Sequence, residues 1–275
     1  MKTSPLARDR YALYEASVQG VEYELKFCER VYRALRGRPF RRLREDFCAT
    51  AALGAAWVLR HPDATAVGVD LDPVPLAWAE RYRLARMGRL AKRLRLVRGD
   101  VRTARVPKAD VTVALNFSYW VFKEREELLA YFRSARRGLA RDGLLVLNAF
   151  GGFEAMREAT ETKRIAASQT VDGLRLPAFR YIWEQESFNP VTNEILCSIH
   201  FELAGRRRMR RAFVYDWRLW SPPELRELLL EAGFREVRTY FEGWDEKART
   251  SDGRLRLKRK IENQDIWLAY VVAAI

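Results

Sequence analysis

The chain has 275 residues, 48% of them hydrophobic, and a formal net charge of +14, enough for one large domain, or one domain with an inserted cap, around a sizeable core. No run of 18 apolar residues occurs, and Met1-Lys2-Thr3-Ser4-Pro5 lacks an apolar signal region, which argues against membrane insertion and secretion. Three cysteines without metal-ligand spacing (Cys28, Cys48, Cys197) and two scattered histidines (His61, His200) exclude a disulfide framework, a metal site and a Ser-His-Asp arrangement, and fit reduced thiols in a cytoplasmic protein.

Residues 6–38 read as helical, with Tyr11, Tyr14, Val18, Tyr23, Phe27 and Val31 at helical spacing. Leu43 to Ala51 reads as a short strand that turns sharply into a helix of small residues, Thr50 to Arg60. Val67-Gly68-Val69-Asp70 is a second strand, ending on an acid. Leu96 to Val101 is a third and carries Asp100. Asp110 to Leu115 is a fourth and leads into Asn116-Phe117-Ser118-Tyr119-Trp120. A helix over Leu128 to Leu139 and a fifth strand, Gly143 to Asn148, follow.

Residues 151–215 leave that rhythm. Ala155 to Ser168 reads as a helix. Phe179 to Glu186, Glu194 to Leu203 and Met209 to Trp217 read as three antiparallel strands, separated by turns at Asn189 to Asn193 and Ala204-Gly205. Ser221-Pro222-Pro223-Glu224 is a helix start in which serine caps, proline takes the first position and glutamate returns to the cap. That helix stops at Gly233. Phe234 to Phe241 and Ile266 to Ala273 are the last two strands, an antiparallel pair connected through the basic stretch Lys247 to Lys260.

A strand, a tight turn, a helix and then a strand tipped with a carboxylate is how a doubly wound sheet grips a nucleoside. Pyrophosphate needs glycines in the turn, and here the corresponding positions hold Phe47, Ala49 and Ala51. A nucleoside ligand without phosphate demands less. The ordered pieces resemble class I S-adenosylmethionine-dependent methyltransferases, with Glu45 at the acid of the first motif, Asp70 at the ribose-binding acid and Asp100 at the acid that contacts adenine.

The resemblance covers residues 40–150. It implies a Rossmann-like, doubly wound, mostly parallel seven-stranded α/β sheet with an antiparallel last strand and an inserted antiparallel β cap. The expected parts are a helical segment over the cofactor (1–39), the cofactor half (40–150), the cap (151–217) and the sheet-completing segment (218–275). The cofactor would be S-adenosyl-L-methionine, with S-adenosyl-L-homocysteine as product. Expected contacts are Tyr14, Glu45, Phe47, Cys48, Ala49, Asp70, Leu71, Asp100, Val101 and Asn116.

Methyl transfer from a sulfonium is an in-line displacement, so no protein nucleophile is required. Candidates for the acceptor side are Asn116, Tyr119 and Tyr215, with Tyr119 and Trp120 as aromatic walls and Tyr215, Trp217 and Trp220 as a second aromatic cluster from the cap. The expected function is transfer to an N or O atom of a small molecule. The alternatives are an RNA methyltransferase, suggested by Arg206 to Arg211 and Arg254 to Lys260, and a non-catalytic nucleoside-binding or interaction protein on the same fold. The basic charge also has a compositional source, since arginine outnumbers lysine along the whole chain. No membrane partner is expected.

Overall fold

The computed structural model describes residues 9–205, 207–245 and 250–275. Two helices open the described chain: α1, Arg10–Val18, capped by the Asp9 side chain, and α2, Val21–Arg36. The single helical stretch expected here is thus broken at Gln19 and Gly20. α2 carries acids in its first turn, arginines in its last and a left-handed Gly37 at its end, as its dipole and termini favour.

The α/β unit follows. β1 (Arg42–Asp46), α3 (Ala52–Arg60) and β2 (Thr65–Asp70) lead to α4 (Pro73–Trp78), which continues through a π-turn at Ala79–Leu84 into α5 (Ala85–Met87). Then come β3 (Leu94–Arg98), β4 (Ala109–Ala114), α6 (Arg125–Gly138) and β5 (Leu139–Gly151). The cap comprises β6 (Ala159–Ile165), a short ribbon of β7 (Ser168–Gln169) and β8 (Arg175–Leu176), then β9 (Phe179–Asn189), β10 (Glu194–Leu203) and β11 (Arg207–Arg218). α7 (Pro222–Glu231), β12 (Glu236–Asp245), β13 (Thr250–Leu257) and β14 (Trp267–Ala274) complete the chain, and α7 starts with the expected Ser221–Glu224 capping box.

The main sheet has the order β13-β12-β14-β5-β4-β1-β2-β3. β1 to β5 are parallel, while β14 runs antiparallel to both β5 and β12. Strand order reverses between β1 and β4, so their carboxyl ends border the crevice where such sheets bind ligands. One core lies between the sheet and α2 and α3; a second joins the other face to α6, α7 and the base of the cap.

Two expected elements are corrected. The seven-strand pattern gains an eighth strand, because β13 folds from the basic stretch and pairs with β12. Its Arg254-Leu255-Arg256-Leu257 alternation buries Leu255 at 2% exposure, a period that the charges concealed. Ala155 to Ser168 is not a helix: Ala159–Ile165 is strand β6, paired with the open edge of β9, so pairing overrode local pattern. The cap sheet therefore has four strands, in the order β11-β10-β9-β6. Residues 1–8, Arg206 and 246–249, which include parts of the N-terminal helical and basic stretches, lie outside the described residues.

Gly68 shows how closely β2 meets the turn after β1. A Cβ there would lie 2.7 Å from Cys48 Sγ and 3.1 Å from its Cβ. Gly68→Ala is expected to cost about 1–3 kcal/mol through overpacking, with partial recovery when Cys48→Ala is added. Urea unfolding of the single and double variants measures the coupling; independent, additive effects would contradict the contact.

Candidate functional site

The turn between β1 and α3 adopts a glycine-type path without glycine. Phe47, Ala49 and Ala51 all have positive φ (56°, 45° and 53°), a region that costs L-residues strain. The path is held at each step: Cys48 N–H donates to Val69 O at 3.1 Å, Ala51 N–H to Cys48 O at 2.6 Å, and Ala49 N–H to Asp70 Oδ2 at 2.7 Å. The other oxygen of Asp70 accepts from Asp72 N–H at 2.9 Å. Asp72, not Asp70, caps α4 through Val74 N–H. Asp70 therefore stands at the end of β2 with its carboxylate held on the turn, and burial raises its pKa. Leu71 beside it is 67% exposed.

Glu45 is buried on β1, accepting Gly54 N–H at 2.9 Å through Oε2. Burial pushes its carboxyl up to about 8 against the pull of that N–H and of the Arg83 charge. Glu24, from α2, is 4% exposed and pushed up to about 7 by burial alone. Glu24, Glu45, Gln19, Phe47 and Asn116 border one small cavity of about 20 Å³.

Asn116 also borders a second cavity, of about 300 Å³. Its walls are rings from four regions: Tyr14 of α1, Phe117 after β4, Phe150 of β5, and Tyr181, Trp183, Tyr215 and Trp217 of the cap. Its polar lining comprises Asn116, Glu154, Glu161 and Gln185. Gln185 is held by Ala155 O at 2.8 Å. Tyr215 stacks on Trp217 with ring centres 4.3 Å apart. The Tyr14 and Tyr215 hydroxyls influence each other's titration; burial pushes Tyr14 up to about 12 and Tyr215 well above its ordinary value. Both are neutral phenols near neutral pH, able to orient a ligand but not to act as an ionised base.

α1 is fixed over the turn by a buried network. Glu15 pairs with the fully buried Arg83 and accepts from the Thr50 hydroxyl, while Arg83 Nε–H donates to Thr50 O at 2.7 Å. Arg83 also lies 3.5 Å from Asp172, in the loop that joins β7 to β8.

The structure brings Tyr14, Glu45, Phe47, Cys48, Ala49, Asp70, Leu71, Asn116 and Tyr215 to this crevice or its two cavities. Asp100 stands after β3, its carboxylate engaged by Arg102 at 2.7–3.1 Å, and the guanidinium lowers its pKa. Val101 next to it is buried, with its carbonyl taken by Arg44 and Ser134.

Tyr119 is a correction. It has no exposure, its hydroxyl donates to Asn148 O at 2.9 Å, and it borders neither cavity. Trp120 likewise packs behind the lining, against Phe117, Phe150 and Trp217. A short 3₁₀ turn, Ser118–Val121, carries both side chains into the core. Sequence reasoning missed Glu24, Gln19, Glu154, Glu161 and the Glu15–Arg83 pair. Glu24 had a readable signal: it occupies the apolar stripe of α2 between Val21 and Cys28.

His200 and Ser198 do not make a nucleophilic pair. His200 Nδ1 accepts from Arg211 N–H at 3.0 Å, which leaves the proton of the neutral ring on Nε2, facing Ser198 and Glu184. Among the described residues no group of three or more His, Cys, Asp or Glu side chains is arranged for a metal ion, and no helix is long and apolar enough to cross a membrane.

No protein-family model matches the sequence, and no curated protein matches it by sequence. Solved structures do match in fold. DesVI of Streptomyces venezuelae superposes with a TM-score of 0.67 at 17% identity, over 98% of this chain and 99% of that one. CalS10 of Micromonospora echinaspora, an amino pentose methyltransferase solved with S-adenosylmethionine, gives 0.64 at 19% identity, over 94% and 95%. The sugar N-methyltransferase KedS8 of a Streptoalloteichus species gives 0.63 at 17% identity, over 100% and 95%. The chain has the class I S-adenosylmethionine-dependent methyltransferase fold, including the appended antiparallel sheet.

The two buried acids set a pH dependence. Glu24 and Glu45 titrate near 4.5 when unperturbed and near 7 and 8 when folded. The folded chain thus binds more protons than the unfolded one in that window, so stability falls as pH rises through it. Thermal unfolding is expected at a higher temperature at pH 5.5 than at pH 8, with a flatter profile in Glu24→Gln. A stability that increases over this range would show that these acids are already ionised in the folded protein.

Proposed function

We propose that the chain is an S-adenosylmethionine-dependent methyltransferase acting on a nitrogen of a small-molecule acceptor. The observation that carries this reading is the position of Asn116, which borders both the cavity beside the turn and the aromatic cavity. A ligand held on the turn and a ligand held among the rings would meet at this residue.

The residues fit the cofactor. Each Asp70 oxygen accepts one backbone N–H and keeps a lone pair for a ribose hydroxyl. Exposed Leu71 offers apolar surface beside it for a base. The left-handed residues bring the turn backbone close in place of glycines. When bound, the cofactor supplies the electrophilic methyl. The protein aligns the acceptor and excludes water. Asn116 presents an amide to the junction, Tyr14 and Tyr215 orient by hydrogen bonding, and the surrounding rings favour positive charge.

Nitrogen transfer is supported by the acids Glu154 and Glu161 on a largely apolar cavity, a lining suited to an amine that arrives protonated and gives its proton to a carboxylate before its lone pair attacks the methyl. The fold neighbours described as amino pentose, sugar N- and glycopeptide N-methyltransferases support it further. A small acceptor is favoured over nucleic acid because three arginines of the basic stretches are already paired: Arg208 with Glu202, Arg211 with Glu186 and Arg256 with Asp252. A site with both cavities formed supports catalysis over mere nucleoside binding.

S-adenosylhomocysteine is expected to bind in the micromolar range, on the order of −7 to −8 kcal/mol, and Asp70→Ala to weaken it by about 1.5–3 kcal/mol. Titration calorimetry checks both. Absence of binding, or an Asp70 variant with undiminished affinity, would remove the basis for this function.

A further inference from the structure

Where α1 and α2 close over the end of β1, the polar groups are acceptors, and the cation that acts on Glu45, Arg83, is itself paired with Glu15. Glu24 is 4% exposed, and its carboxyl takes part in no hydrogen bond or ion pair among the described residues. Gln19 Oε1 is buried and has no hydrogen-bond partner among the described residues. Glu45 accepts one backbone N–H through Oε2. Asp46, on the same rim, is directed elsewhere: Arg44 and the Tyr131 hydroxyl take its two oxygens.

Among the described residues, the groups that face Glu24 carry no positive charge. They are Glu45 and Asp46 from β1, Tyr14 from α1, Tyr270 from β14 and Cys28 on its own helix. A buried carboxyl in such surroundings calls for a donor, and an ionised one for a cation. The cavity between these groups, about 20 Å³, admits one water-sized group. A guanidinium is too large for it. An ammonium has the required size, charge and three donors.

We infer that Glu24, together with Gln19 and Glu45, receives the α-ammonium group of the amino-acid tail that the cofactor carries. The inference rests on the cofactor reading proposed above and assigns the N-terminal helices a direct part in cofactor binding. The sheet and its turn hold the nucleoside. α2 supplies the buried counter-charge for the other end of the molecule. Asn116, on the rim of both cavities, then lies between the tail and the acceptor.

Glu24 must release its proton to pair with an ammonium. Burial pushes it up to about 7, so tail binding weakens as the pH falls below that value. The nucleoside end depends instead on Asp70, whose carboxyl is raised by burial but stabilised as the carboxylate by two backbone N–H groups.

Calorimetry on the full chain with two probes tests this. S-adenosylhomocysteine carries the tail; 5′-methylthioadenosine has the same nucleoside and sulfur without the ammonium. Glu24→Gln is expected to weaken S-adenosylhomocysteine by about 10- to 100-fold, the range for a lost charged hydrogen bond, and to leave methylthioadenosine unchanged. In the unaltered protein, S-adenosylhomocysteine affinity should rise between pH 5.5 and 8 while that of methylthioadenosine stays flat; this arm requires no variant. Equal losses for both probes in Glu24→Gln, or equal affinities and flat pH profiles for both in the unaltered protein, would overturn the inference and leave only water in the cavity. If neither probe binds at any pH, the cofactor reading itself fails, and the inference with it.

Discussion

The site depends on one guanidinium. Arg83 has no solvent exposure, and a buried cation is tolerated only when it is paired. Its partners come from distant parts of the chain: Glu15 on α1, the Thr50 carbonyl at the cofactor turn and Asp172 in the ribbon loop of the cap. Meeting them fixes α1 against the turn and the cap against both. Tyr14 adjoins Glu15, so its hydroxyl is delivered opposite Tyr215. The aromatic cavity is thus closed on one side by an ion pair that does not itself line it.

Strain and burial concentrate at the same place. Seven non-glycine residues have positive φ among the described residues, and five of them, Phe47, Ala49, Ala51, Asn116 and Phe117, follow β1 or β4. The acids Glu24, Glu45, Asp46 and Asp70 are all raised by burial around the same strand ends. Conformations and ionisable groups that oppose stability persist where surrounding structure over-determines them, and they favour sites that take a ligand. Here Ala49 N–H on Asp70 and Asn148 Oδ1 on Phe117 N–H hold the two strained turns.

The cap has two jobs on its two faces. Its inner face supplies the rings of the cavity, backed by a further layer in which Trp120 contacts Phe117, Phe150 and Trp217. Around His200 a polar cluster forms instead. The imidazole accepts from Arg211 N–H, a residue with φ of 47°, where the β10–β11 register shifts. That histidine secures the irregularity in the β10–β11 pairing.

Much of this was present in the sequence. The order of strand, turn, helix and acid-tipped strand follows from local period and turn chemistry, and it placed Glu45, Asp70 and Asn116 at the correct strand ends. The Ser221 capping box and the three long cap strands were legible for the same reason: near neighbours in the chain determine them. β6 and β13 were hidden because an edge strand takes its conformation from the partner it pairs with. Tyr119 and Tyr215 look alike as tyrosines close to strand ends; only packing sends one into the core and the other into the cavity. Glu24 and Arg83 became meaningful in the same way. A charge on an apolar face is local information, but whether it is paired, unpaired or aimed at a ligand depends on residues far away in the chain, which only the tertiary structure brings within reach.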